Sequence, residues 1–225
     1  MTAVRALTAQ ALLLDFDGLI CDTERAAHLS WENFYGRHGL VFPDEVWAAM
    51  TGRASGESYA ADDLAGRLGR ALTSEELAER RADKARFAGA EPLRPGVARL
   101  LDGARRQGIP CAVVSSSDRA WVRGHLERLG VIDRFAQVVT GDQVHARKPA
   151  PDLYLRGLEL LGTRPEDGLA LEDSATGVAA AKAAGLRCVA VPGERGSRRT
   201  LGEADLVLAS LEHLTPTKHQ EVTSV

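Results

Sequence analysis

Short apolar runs recur along most of the chain, at 11–14, 111–114, 136–139, 168–171, 188–191 and 206–208. Each is too short for a helix and is bounded by charged or turn-forming residues, so each reads as a buried strand. Segments of helical length and pattern lie at 97–107, 119–129, 152–161 and 176–184. Gly108, Gly130, Gly162 and Gly185 stand just past their last apolar positions, where a helix usually stops. Strand and helix in alternation predict an α/β fold with a parallel, doubly wound sheet covered by helices on both faces.

Residues 21–92 interrupt that rhythm. Almost no strand pattern occurs there; helices are expected near 24–37, 44–50, 57–70 and 74–88. Asp22 and Thr23 begin the first, and Trp31, Phe34 and Tyr35 would line its apolar face. Thr73 and Glu76 have capping-box spacing at the start of the last. Pro92 and Pro95 in the stretch EPLRPG mark the return to the alternating pattern. The expected organisation is a Rossmann-like core, residues 1–20 and 93–225, with an all-helical cap inserted at 21–92. The polar tail from Thr215 is expected to fray.

Composition removes several function classes. A net charge of −3 leaves no basic footprint for nucleic acid or anionic lipid. The apolar run near the N-terminus is too short for a signal peptide or a span, so neither membrane nor nucleic acid is an expected partner. Cys21, Cys111 and Cys188 form no C-x-x-C pair and read as small buried residues, in keeping with a reduced cytoplasm. A monomer or small homo-oligomer is expected. The six histidines show no metal-ligand spacing, and surface or cap positions are expected for them.

The chemistry-bearing residues follow the apolar runs. Asp15 and Asp17 follow the first, Ser115, Ser116 and Ser117 the second, Lys148 the third after a loop, and Glu172 and Asp173 the fourth. In a doubly wound sheet those ends gather on one rim, where such folds bind their ligands. Taken singly, an aspartate at a strand end is a turn residue or a helix cap, and Ser117 could equally cap the following helix. Four such coincidences on one rim point instead to a site.

These stretches resemble the haloacid dehalogenase superfamily, in its β-phosphoglucomutase-like and phosphoglycolate phosphatase-like branch. DFDGLICDTE (15–24) is similar to the first motif, Ser115 to the second, Lys148 in RKPAPD (147–152) to the third, and LEDS (171–174) to the fourth. The resemblance implies a Mg²⁺-dependent phosphomonoester hydrolase acting on a small phosphorylated metabolite, such as a sugar phosphate. Asp15 would be the nucleophile that becomes an aspartyl-phosphate, and Asp17 the general acid and base. Ser115 and the Ser116 amide would hold the phosphoryl oxygens, with Lys148 supplying fixed positive charge. Asp15, the Asp17 carbonyl and Asp173 would hold the metal, Glu172 being a further ligand or an acceptor behind the ligands.

Asp17 favours phosphoryl chemistry over dehalogenation, since a departing halide needs no proton. In a mutase of this branch the cap carries a histidine and an arginine, at positions that correspond here to Ala27 and Ser55. Their absence favours hydrolysis over a β-phosphoglucomutase-like phosphotransfer. A non-catalytic phosphate sensor of the same fold would be expected to have lost some of Asp15, Asp17, Lys148 and Asp173. The implied cap closes over the site, with Arg25, His28, Arg53, Ser55 and Glu57 as candidate substrate contacts.

Overall fold

Leu12, Leu13 and Leu14 are wholly buried, as only the central strand of a sheet covered on both faces can be. In the computed structural model, which describes residues 5–50, 56–193 and 201–218, they belong to β2 (Ala11–Leu14). This strand pairs in parallel with β3 (Cys111–Ser115) on one side and β5 (Gly168–Glu172) on the other. β4 (Gln137–Thr140) extends the first side; β6 (Arg187–Ala190) and β7 (Leu206–Val207) extend the second. The order is β4-β3-β2-β5-β6-β7, all parallel. The chain winds outward from β2, returns, and winds out the other way, so the switch point falls between β2 and β5.

Alternation along each strand divides the core between the two faces. Leu12, Leu14, Val113, Leu169 and Leu171 pack with α5 (Val97–Arg106) and α6 (Arg119–Arg128). Leu13, Val114 and Ala170 pack with α7 (Asp152–Leu161) and α8 (Ala175–Ala183). Gly108, Gly130, Gly162 and Gly185 all take positive φ at the helix ends. The cap of α6 is Asp118, whose carboxylate accepts from the Trp121 amide at 2.9 Å. Ser117 therefore does not cap that helix.

The polar tail does not fray at Thr215. A short strand, β1 (Arg5–Thr8), pairs in parallel with β8 (Leu214–Thr217), with Arg5 opposite Leu214 and Thr8 opposite Thr217. Leu214 is buried in the same cluster as Leu12 and Leu14, which anchors the polar residues after it.

The chain divides into two compact units, Met1–Cys21 with Pro92–Val225, and Asp22–Glu91. The second is helical: α1 (Thr23–Arg37), α2 (Asp44–Met50), α3 (Gly56–Leu68) and α4 (Ser74–Ala90). Asp22 caps α1, and Thr73 and Glu76 form the capping box of α4. Trp31, Phe34, Tyr35, Phe42 and Trp47 form its core. Arg80 is buried because its guanidinium lies 4.7 Å above the Trp31 ring and meets Glu57 at 2.8 Å. No helix among the described residues is long and apolar enough to cross a membrane.

One backbone position tests this packing directly. Gly96, at the start of α5, has φ +89°, and a Cβ there would lie 2.3 Å from the Glu212 nitrogen. A left-handed L-residue costs about 1–2 kcal/mol before any clash. Gly96→Ala is expected to lose more than that in denaturant unfolding, since the obstacle is backbone; an unchanged midpoint would contradict the described contact.

Candidate active site

The carboxyl ends of β2 and β5, on either side of the switch point, bring three acids together. Single carboxylate oxygens of Asp15, Glu172 and Asp173 lie within 4.8 Å of one another, and all three residues are buried. Burial of anions requires compensation. It comes from Lys148, whose ammonium donates to Asp15 Oδ1, to Glu172 Oε1 at 2.6 Å and to the Val114 carbonyl at 2.8 Å. Three donors meet three acceptors, so the lysine is fully spent.

The loop that delivers Lys148 is closed by Asp152, which accepts from the Ala146 amide at 3.1 Å at the start of α7. From the same helix, the Tyr154 hydroxyl donates to Glu172 Oε1 at 2.6 Å, and its ring lies 5.1 Å from the Lys148 ammonium. Glu172 Oε2 accepts from the Asp173 amide at 3.2 Å and the Ser174 hydroxyl at 3.4 Å. With four donors on its two oxygens, Glu172 acts as an acceptor that fixes Lys148 and Asp173 in place.

Burial pushes the Asp15 carboxyl well above the usual carboxylate range. Lys148 opposes this, while Glu172 and Asp17 push the same way. Lys148 is held above the ordinary lysine range, because Asp15 and Glu172 outweigh its own burial. Fully ionised, the three carboxyl groups would exceed the one ammonium by two negative charges in a buried space. An all-oxygen set of this kind suits a divalent ion such as Mg²⁺, which would neutralise that surplus.

Gly18 makes the close approach possible. Its φ is +85°, and a Cβ there would lie 1.8 Å from Asp173 Oδ2. The Arg94 guanidinium donates to the Gly18 carbonyl and, at 3.3 Å, to that of Pro192, tying the loops after β2 and β6 together. Asp17 points toward the end of β3. Its Oδ2 accepts from Ser115 Oγ at 3.1 Å and Ser117 Oγ at 2.6 Å, and its Oδ1 from the Trp121 indole at 3.0 Å. Ser116 occupies the turn between them.

The structure thus gathers Asp15, Lys148, Glu172 and Asp173 in one cluster and links Asp17 to Ser115. Among the proposed substrate contacts, Arg25 pairs with Glu91, and Glu57 pairs with Arg80 and Lys84. His28 lies in the helical unit but is buried there, 4.8 Å from the Trp47 ring, so the expectation of a surface place for it is corrected. The same correction applies to His125, buried between Phe16 and Trp121. Arg53 and Ser55 lie outside the described residues. Sequence reasoning missed Ser117 as an Asp17 donor, and it missed Trp121, Tyr154 and Arg94. Only Tyr154, a hydroxyl on the apolar face of α7, left a readable trace.

The sequence model of one family, haloacid dehalogenase-like hydrolase, matches residues 9–185. The "Putative phosphatase YhcW" of Bacillus subtilis is 41% identical over 184 residues, covering 81% of this chain and 83% of that protein. Hexitol phosphatase A of Escherichia coli is 33% identical over 212 residues, covering 94% of this chain and 96% of its own. A crystal structure of a HAD family hydrolase from Deinococcus radiodurans, with bound phosphate and sodium, superposes with a TM-score of 0.77 at 28% identity. It covers 90% of this chain and 92% of its own.

The charge balance yields a stability prediction. Lys148→Met, unfolded in denaturant with EDTA at neutral pH, should lose about 3–5 kcal/mol, because Asp15 and Glu172 remain buried without their cation. The Asp15 pKa then rises further above its unfolded-state value, so the folded state takes up a proton there first as pH falls. The deficit should therefore shrink on acidification. A deficit that is small, or independent of pH, would show that the lysine does not balance this cluster.

Proposed function

The chain belongs to the haloacid dehalogenase-like hydrolases, and from that premise we propose that it is a Mg²⁺-dependent phosphatase forming an aspartyl-phosphate on Asp15. The observation that carries this reading is the buried Asp15 carboxylate, paired with Lys148 at the switch point beside Asp173. A nucleophilic carboxylate must meet an anionic phosphate ester, and repulsion between them is the first obstacle. Lys148 lowers it with a fixed charge that needs no reorganisation during reaction. Asp15, Asp173 and the Asp17 carbonyl would hold the ion; Glu172 backs them through Lys148 and the Asp173 amide. When bound, Mg²⁺ supplies charge neutralisation and in-line orientation of the phosphoryl group.

In the first half-reaction Asp15 attacks phosphorus, and the bond to the leaving oxygen breaks with its electrons on that oxygen. Asp17 provides the proton this oxygen needs. In the second half, Asp17 takes a proton from water as water displaces Asp15, releasing inorganic phosphate. Ser115 and the Ser116 amide would hold the phosphoryl oxygens. The proposed substrate is a small sugar or polyol phosphate, a reading supported by the likeness to hexitol phosphatase A. Hydrolysis is proposed over mutase transfer because Ala27, a non-polar residue of α1, stands where a mutase histidine is expected. No disulfide links Cys21, Cys111 or Cys188, which fits a reducing, cytoplasmic setting.

Asp15→Asn should lower kcat by about a thousandfold or more while the unfolding midpoint is retained, since an amide cannot form the acyl phosphate. Near-normal turnover in that variant would refute the mechanism.

Activity should vanish in EDTA and return with Mg²⁺, Ca²⁺ substituting poorly because of its looser coordination. Asp173→Ala should raise the Mg²⁺ requirement more than about tenfold. Full activity in chelated enzyme would sink the metal assignment. With β-glucose 1-phosphate and a bisphosphate primer, stoichiometric phosphate release is expected, with little glucose 6-phosphate. Efficient isomerisation would overturn hydrolysis as the activity.

A further inference from the structure

Three donors hold the Asp17 carboxylate, and they differ in kind. Ser115 and Ser117 donate through hydroxyls to Oδ2; Trp121 donates its indole N–H to Oδ1 at 3.0 Å. A hydroxyl has one proton and rotates freely, so a phosphoryl oxygen arriving at Ser115 draws that donor away from Asp17. The indole has no such alternative. It donates once, accepts nothing, and sits on a rigid ring.

That ring is itself held. The Trp121 amide is tied to the Asp118 carboxylate at 2.9 Å, and the indole meets the His125 ring edge-on at 4.4 Å. His125 Nδ1 lies 3.2 Å from Arg128 Nη2, and because arginine only donates, this nitrogen accepts. Arg128 reaches on to Cys21 Sγ at 3.8 Å, and His125 stands 5.9 Å from the Phe16 ring. Trp121, His125 and Arg128 are spaced i, i+4, i+7, so one face of α6 meets the loop segment that carries Asp17.

We propose that Trp121 is the positioning residue for Asp17, holding its Oδ1 so that Oδ2 stays on the Ser115 side after the phosphoryl group has claimed the serine hydroxyl. The inference rests on the acid–base role proposed for Asp17 above. Proton transfer to the leaving oxygen needs a carboxyl in the right orientation at the moment the P–O bond breaks, and Trp121 supplies that orientation without touching substrate.

A series of substituted phenyl phosphates tests this, because leaving-group basicity changes while shape hardly does. Trp121→Phe keeps an aromatic ring against His125 and removes only the N–H. In this variant kcat/KM for phenyl phosphate should fall about tenfold or more, a fraction of the roughly 10²–10⁴ that general acid catalysis supplies. For 2,4-dinitrophenyl phosphate, whose leaving group needs no proton, it should stay close to wild type. The ratio of the two values does not depend on how much of the variant is folded, so partial unfolding cannot mimic the result. An equal loss on both substrates would overturn the proposal and leave Trp121 a packing residue. Asp17→Asn provides the separate check on the underlying reading. If it steepens the dependence and Trp121→Phe does not, only the Trp121 inference fails. If Asp17→Asn leaves the dependence unchanged, the acid role of Asp17 fails first.

Discussion

One ammonium group buried among carboxylates sets the terms for the rest of the core. Lys148 donates to Asp15, Glu172 and the end of β3, and each of these partners stands at the carboxyl end of a different central strand. A buried cation with three fixed acceptors is held in one place only if all three strands arrive in register. A buried cluster of acids, in turn, is tolerated only if the cation is there. The same charge that makes the cluster foldable is the one an anionic phosphate ester requires. In this reading stability and catalysis draw on a single electrostatic arrangement.

The supporting residues follow from that demand. Tyr154 and Glu172 are both fully buried, and their 2.6 Å hydrogen bond fixes the acceptor that orients Lys148. Asp152 closes the loop on which the lysine rides. Gly18 lets the Asp173 carboxylate approach a backbone that any side chain would block, and Arg94 restrains the same turn from the other side. On the opposite flank α6 holds Asp17. The two aspartates of the first motif therefore have separate keepers: Asp15 is governed by charge, and Asp17 by neutral donors.

The helical unit is built on different physics. Its core is aromatic, with Trp31, Tyr35 and Phe42 in mutual ring contact and Trp47 against Phe42. Its charged residues are largely committed to one another: Glu57 with Arg80 and Lys84, Asp83 with Arg37 and Arg86, and Asp63 with Arg67. Side chains that look like ligand contacts when read singly, Arg25 and Glu57 among them, turn out to have partners within the unit.

Much of this was legible along the chain, since some signals are local. The apolar run at 11–14 reads as a buried strand, and Gly108, Gly130, Gly162 and Gly185 stop helices by a backbone preference that neighbours do not alter. The four motifs carrying Asp15, Ser115, Lys148 and Glu172–Asp173 follow apolar runs, and a doubly wound sheet must collect such ends on one rim. The pairing of β1 with β8 was not legible, because Arg5–Thr8 is mostly exposed and Pro216 reads as a loop; only contact between the two chain ends makes either a strand. Nor were the contacts of Tyr154 with Glu172, Trp121 with Asp17, and Arg94 with the Gly18 and Pro192 carbonyls, which act across 18 to 104 residues. Residue type and period decide where a strand or helix forms. Which side chain meets which acceptor is decided only when the elements pack, because hydrogen-bond partnership depends on distance in space and not on distance along the chain.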